Sequence, residues 1–313
     1  MKTIVNYLKD HIRNDFNPFV YGYFLIFITI SISLNYYFHF ENHFLAGKHN
    51  VLGTLLYFLF YATAYYGIAV PKLLIQKQKE ILTKPVFWIK SFLFLLLLSI
   101  AAATYFLFKT SKLELINDYT FAFRLLNQLK CTLIYVIPLL IIKKIYDSNS
   151  SGLYGLNFKG QNLKVYFLLL LIVSPIIIGA SFTPDFLKAY PRFKPWFVEP
   201  AFGLNKLTMA GIFETFYALD FVMVELLFRG ALVIGMAAIM GKEAILPMVS
   251  TYAFIHFGKP MGEAISAVFG GYILGIIAYR TKHIWGGCII HIGVAFLMEI
   301  MGFIQFYLIQ IKR

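Results

Sequence analysis

The chain has 313 residues, of which 59% are hydrophobic, 18% aromatic and only 14% charged. Apolar residues at that density, gathered in several uninterrupted stretches, exceed what a water-soluble core needs and exclude an ordinary soluble domain. A formal net charge of +13 would suggest nucleic acid in a soluble protein, but here Lys and Arg sit in short links between apolar runs, where they set topology and meet anionic lipid head groups, so no nucleic-acid partner is expected.

The opening stretch MKTIVNYLKDHIRNDFNPF is polar for too long to be a cleavable signal, so the first apolar run is expected to stay as a membrane span. A span needs about 20 mostly apolar residues. Candidate runs cover residues 19–40, 51–70 and 86–108, with a fourth ending near 142. The polar break from Asp147 to Gly152 reads as a flexible connector. It divides the chain into an N-terminal four-span membrane region, 1–147, and a C-terminal helical bundle, 148–313. Lys2, Lys9 and Arg13 precede the first run, Lys48 alone follows it, and Lys72, Lys77, Lys79 and Lys84 follow the second. That alternation puts the N-terminus in the cytoplasm of an integral multi-pass protein, expected in the plasma membrane of a bacterium. Lys109, Lys112 and Arg124 after the third run pull the other way.

A fifth run, 165–182, leads into a link carrying Pro184, Pro191, Pro195 and Pro200 among Phe, Tyr and Trp. Such a link reads as a rigid loop at the interface, either a plain connection or a substrate-facing lid. Residues 207–240 form a helix longer than one span needs, holding Glu214, Asp220, Glu225 and Arg229. The next helix ends at His256 before Gly258-Lys259-Pro260, and the one after it carries Gly270, Gly271 and Gly275, small residues that let helices approach closely. The last helix, 284–311, holds His291 and Glu299. The expected fold is all-α, a polytopic membrane bundle of about 8–9 transmembrane helices. Cys131 and Cys288 lie in apolar runs without a CxxC pattern, so neither a disulfide framework nor a thiolate metal site is indicated.

The informative stretch is Val224-Glu225-Leu226-Leu227-Phe228-Arg229-Gly230. Ionisable residues inside an apolar segment are functional-site hypotheses by default. Glu225 and Arg229, four apart, share a helix face and as an ion pair offset each other's burial cost, so a purely structural pair is the alternative. His256, with Tyr252 one turn earlier, has the alternative of an interfacial histidine, and His291 that of a satisfied core histidine. Together, Glu and His can activate water, with an imidazole or guanidinium stabilising the oxyanion. No HExxH, GxSxG or P-loop pattern occurs; no metal or other cofactor is expected, although Glu with two His leaves zinc open.

These motifs resemble the CPBP, or Abi, intramembrane proteases, which include the prenyl-protein CAAX endopeptidases. The first family motif, EExxxR, is similar to Val224-Glu225-x-x-x-Arg229; the second, FxxxH, to Tyr252-x-x-x-His256; the third, His followed four residues later by Asn, to His291-x-x-x-Ala295. The resemblance covers roughly 153–311 and implies a glutamate-type intramembrane endopeptidase acting on a membrane-anchored or lipid-proximal peptide. It implies that Glu225 and His256 activate water, that His291 stabilises the oxyanion and that Arg229 orients Glu225. Two positions depart: Val224 stands for the first glutamate and Ala295 for the Asn. Glu263, Asp220 and Glu299 are possible replacements, with Tyr252 as an accessory. An inactive scaffold binding peptide or lipid, and a carrier with a polar path, are the alternatives.

Overall fold

The computed structural model describes residues 2–107, 115–148, 152–157 and 163–311; the centre of the polar connector, 149–151, lies outside the described residues. The helices are α1 (Lys2–Asp15), α2 (Pro18–Phe38), α3 (Val51–Ile75), α4 (Pro85–Ala103), α5 (Ile116–Tyr146), α6 (Lys164–Ala180), α7 (Pro184–Ala189) and α8 (Lys206–Glu225). A π-helical segment, Leu226–Gly235, joins α8 to α9 (Met236–Met240); α10 (Ile245–Phe254), α11 (Met261–Thr281) and α12 (Trp285–Ile311) follow. Starts and stops obey local chemistry. Asn17 Oδ1 accepts from the backbone N–H of Phe19 at 3.0 Å with Pro18 opening α2, and Asn50 Oδ1 accepts from Gly53 N at 2.8 Å to open α3.

Among the described residues, seven helical runs are long and apolar enough to cross a membrane, among them Lys206–Phe254 with 49 residues, while Lys164–Ala180 is apolar but shorter. The chain is an all-α, integral, multi-pass membrane protein.

The chain forms two compact units. The first comprises 1–104, 134–161 and 225–287. In it α3 packs on α4 and α10, and α10 packs on α11. A Cβ on Gly271 would meet the Tyr252 ring at 3.1 Å and one on Gly275 the Met248 methyl at 2.7 Å, so these two glycines set the α10–α11 spacing; at Gly270 nothing lies within 4 Å. Buried charges tie the unit together. Lys72 on α3 bridges Asp15 (3.1 Å) and Glu243 (2.9 Å). Burial alone would raise the Asp15 carboxyl, but hydrogen bonds from His11 and Tyr21 and the Lys72 charge outweigh it and hold the group well below the usual carboxylate range.

After α11 the chain turns through Lys282 and His283. Ile284 N donates to Gly155 O at 3.1 Å and Trp285 Nε1 to Asn157 O at 2.6 Å. His283 is buried in this turn, and burial lowers it from 6.5 to about 4. The folded state therefore binds its proton later than the unfolded chain does, so the stabilisation is present above pH 6.5 and is lost as pH falls from 6.5 towards 4. By pH 5 the loss is on the order of 1–2 kcal/mol. Thermal unfolding in detergent at pH 7 and pH 5 should show it, and His283→Gln should shrink the difference between the two curves.

The second unit comprises 105–133, 162–224 and 288–313. Its core is largely aromatic: Phe193, Phe213, Tyr217 and Phe221 belong to one buried cluster with Ala295. The proline-rich link is fastened to α12. Trp196 stacks on Phe306 with ring centroids 3.5 Å apart, a Cβ on Gly302 would meet Pro191 N at 2.6 Å, and Arg192 N donates to both carboxylate oxygens of Glu299, at 2.8 and 3.0 Å.

Candidate active site

Within the first unit, Glu225, Arg229, Tyr252 and His256 form one continuous chain of contacts. Glu225 is the last residue of α8 and fully buried, and Arg229 follows on the π segment with 1% exposure. Arg229 Nη1 donates to Glu225 Oε1 at 2.9 Å. The guanidinium lies over the Tyr252 ring, 4.1 Å from its centroid, so it is held by a carboxylate on one side and a π face on the other. The Tyr252 and His256 rings then meet edge to face at 4.7 Å.

The π segment is wider than an α-helix, and such segments concentrate at functional sites. Here the close packing around it is built from glycine. A Cβ on Gly230 would meet Tyr154 O at 2.8 Å, and one on Gly235 the Tyr154 ring at 2.9 Å. Lys90, a buried lysine in the second turn of α4, donates to Gly235 O at 2.6 Å and pairs with Asp147 at 2.8 Å, capping the segment's end with a charge-assisted bond. On the other flank of the pair, a Cβ on Gly287 would stand 2.0 Å from Glu225 Oε2, so the start of α12 must be glycine for the carboxylate to keep its place.

His256 sits just past α10, where helix-end carbonyls need donors. Its Nδ1 lies 2.8 Å from Tyr252 O. A carbonyl only accepts, so Nδ1 carries the hydrogen and a neutral His256 presents Nε2 as a proton acceptor. The turn that follows is satisfied from α2: Asn35 Nδ2 donates to Phe257 O at 3.0 Å, and Tyr36 Oη donates to Lys259 O at 2.7 Å, with His256 O at 3.3 Å. Glu41 presses on the same turn, since a Cβ on Gly258 would meet Glu41 Oε2 at 2.7 Å; its carboxyl accepts from Tyr57 Oη at 3.4 Å, and burial raises it above its ordinary value. Glu263, in the first turn of α11, pairs with Lys259 at 3.5 Å and is an electrostatic neighbour of Tyr36 and Tyr252.

The second unit places His291 on α12 with its ring 4.3 Å from that of Phe221. Ala295, one turn later, is 1% exposed inside the aromatic core. Glu299, a further turn on, accepts two hydrogen bonds from Arg192 N, and Glu214 lies on α8 of the same unit. Asp220 is half-buried on α8. Among the described residues no group of three or more His, Cys, Asp and Glu is placed to hold a metal ion.

Lys90, Asn35, Tyr36 and Gly287 were not singled out by motif reading. Lys90 had a signal, being an ionisable residue near the start of an apolar run. Asn35 and Tyr36 lie near the end of a run, where polar residues are ordinary, and their roles depend on pairing across more than 200 positions of sequence.

A family model described as "Type II CAAX prenyl endopeptidase Rce1-like" matches residues 205–297, a segment that contains all three motifs. No curated protein and no solved structure matches the chain.

Proposed function

We propose, from the premise that residues 205–297 belong to the Rce1-like group of CPBP (Abi) intramembrane proteases, that this chain hydrolyses a peptide bond in a membrane-anchored or lipid-proximal substrate. The observation that carries the reading is the 2.8 Å approach of His256 Nδ1 to Tyr252 O, which assigns the tautomer. Its Nδ1–H is committed to Tyr252 O, so Nε2 is the acceptor that takes a proton from water as the oxygen attacks the scissile carbonyl. The same nitrogen then returns the proton to the departing amine, which balances the reaction without a covalent intermediate. Arg229 orients Glu225 by their 2.9 Å bond, and the carboxylate stabilises the imidazolium formed during transfer. His291 takes the oxyanion-stabilising role. We place the protein in the plasma membrane of a bacterium with its N-terminus in the cytoplasm, following the distribution of Lys and Arg in the short links.

The test uses the full chain in lipid nanodiscs with a farnesylated CAAX peptide and an unprenylated peptide tethered by a lipid, with products read by mass spectrometry. Cleavage of either supports the proposal, and the ratio defines the substrate class. Absence of cleavage of both, by a chain that is folded and monodisperse, sinks it. The departure at Val224 makes a further expectation. Val224 is partly accessible on α8, next to a Glu225 already paired with Arg229. Val224→Glu supplies a second carboxylate and should raise the cleavage rate by about tenfold, a modest share of what a general base contributes. An unchanged rate would show that His256 and Glu225 suffice.

A further inference from the structure

The N-terminal half, together with α10 from the segment matched by the family model, builds a cavity of about 510 Å³ among α2, α3, α10 and the link between α2 and α3. Its wall is mainly Phe and Leu, among them Phe27, Leu34, Phe60, Phe254 and Phe257. Its polar groups are largely engaged elsewhere: Thr63 Oγ1 donates to Leu59 O, while Asn35 donates to Phe257 O and accepts from Glu41 N. Lys48 is the one charged residue of the lining, and among the described residues its ammonium makes no ion pair. Glu41, the nearest carboxylate in sequence, is bound to Tyr57 and turned to Gly258.

The placement has a direction. Lys48 lies in the link after α2 ends at Phe38 and before α3 begins at Val51, which is the head-group level of both spans. Thr63 and Phe27 lie near the middle of theirs. From Val51 to Thr63 a helix rises about 18 Å, close to the roughly 15 Å hydrocarbon depth of one leaflet. A pocket that is apolar along one leaflet and ends in a single cation fits a hydrocarbon chain joined to an anion, and basic pockets between spans are where anionic head groups bind. We infer that this cavity holds one acyl chain of an anionic phospholipid, with the lipid phosphate on Lys48. Phe254 and Phe257 flank His256, so the bound chain packs against the back of the turn that carries the imidazole. The inference goes beyond the proteolytic reading and needs no cleavage to be tested.

The experiment is native mass spectrometry of the full chain in detergent, titrated with phosphatidylglycerol or phosphatidylcholine. One phosphatidylglycerol should be retained per chain in preference to phosphatidylcholine. Lys48→Gln, a substitution at a partly exposed link residue, should lower that preference about fivefold, the factor expected for one cation near a phosphate. Thr63→Trp and Leu34→Trp, which fill the cavity from α3 and α2, should abolish the retained lipid while the lipid-free melting temperature stays within a few degrees of the parent. Retention of the lipid by both folded variants, an unchanged preference in Lys48→Gln, or binding only as a non-saturating shell of many lipids would overturn the assignment. Displacement of the lipid by a farnesylated peptide, lost in the same variants, would assign the cavity to that peptide instead.

Discussion

Arg229→Met should destabilise the protein by about 3–5 kcal/mol, and Glu225→Gln by a comparable amount, whereas the double substitution should cost far less than either. Both side chains are buried, at 1% and 0% exposure, and they share a 2.9 Å hydrogen bond. Removing one leaves the other as a buried charge in a medium that cannot solvate it; removing both removes the burial cost together with the attraction. The Tyr252 face contributes a cation–π contact on the order of 1–2 kcal/mol for a desolvated guanidinium, which the arginine variants lose and Glu225→Gln keeps. Thermal unfolding of the four proteins in one detergent closes the cycle. Strictly additive costs would mean that the two charges are solvated separately and that the pair is no unit. A large coupling with unchanged cleavage would make it purely structural.

The fold class and the order of the spans were legible because bilayer thickness fixes how many apolar residues a helix needs. The run 207–240 announced itself as too long for one crossing, and it is one helical run that continues beyond α9. What sequence could not supply was the π segment from Leu226 to Gly235, because no local propensity distinguishes it from an α-helix; its cause is tertiary, in Lys90 at Gly235 O and Tyr154 against Gly230 and Gly235. The proline-rich link read as rigid, and its fastening of Arg192 to Glu299 and Trp196 to Phe306 gives that rigidity its partners.

The candidate site divides in the same manner. Spacing alone placed Glu225 under Arg229, because residues four apart share a helix face. The approach of Arg229 to Tyr252 and of Asn35 and Tyr36 to the turn after His256 joins residues far apart in the chain, and periodicity carries no information about such pairs. Glu263, a possible replacement carboxylate in sequence, is paired with Lys259. Glu299, another, is engaged by Arg192 N. Ala295 is more than a missing amide: 1% exposed in a buried cluster rich in aromatic rings, it sits where an Asn side chain would bury polar atoms, at a cost of about 1–3 kcal/mol without a partner.

His256→Ala should lower the cleavage rate by about 10²–10⁴-fold, the contribution of a positioned general base, with little change in the melting temperature. The imidazole is 7% exposed and its Nδ1 is hydrogen-bonded within its own helix turn, and truncation removes ring packing against Tyr252 without touching that ring's cation–π contact with Arg229. That separation matters because Glu225→Gln affects both stability and rate, and by itself cannot tell a catalytic carboxylate from a structural one. His256→Gln keeps an amide able to bond Tyr252 O yet offers no proton acceptor of suitable basicity, so it should be as inactive as the alanine variant while matching the parent in stability. If the glutamine variant cleaves within tenfold of the parent, proton transfer does not run through His256, and a carboxylate must take its place. The pH dependence then names the group: loss of the parent's rate as pH falls through the histidine range belongs to an imidazole base that must be neutral to act, whereas a rate held down to about pH 5 belongs to a carboxylate.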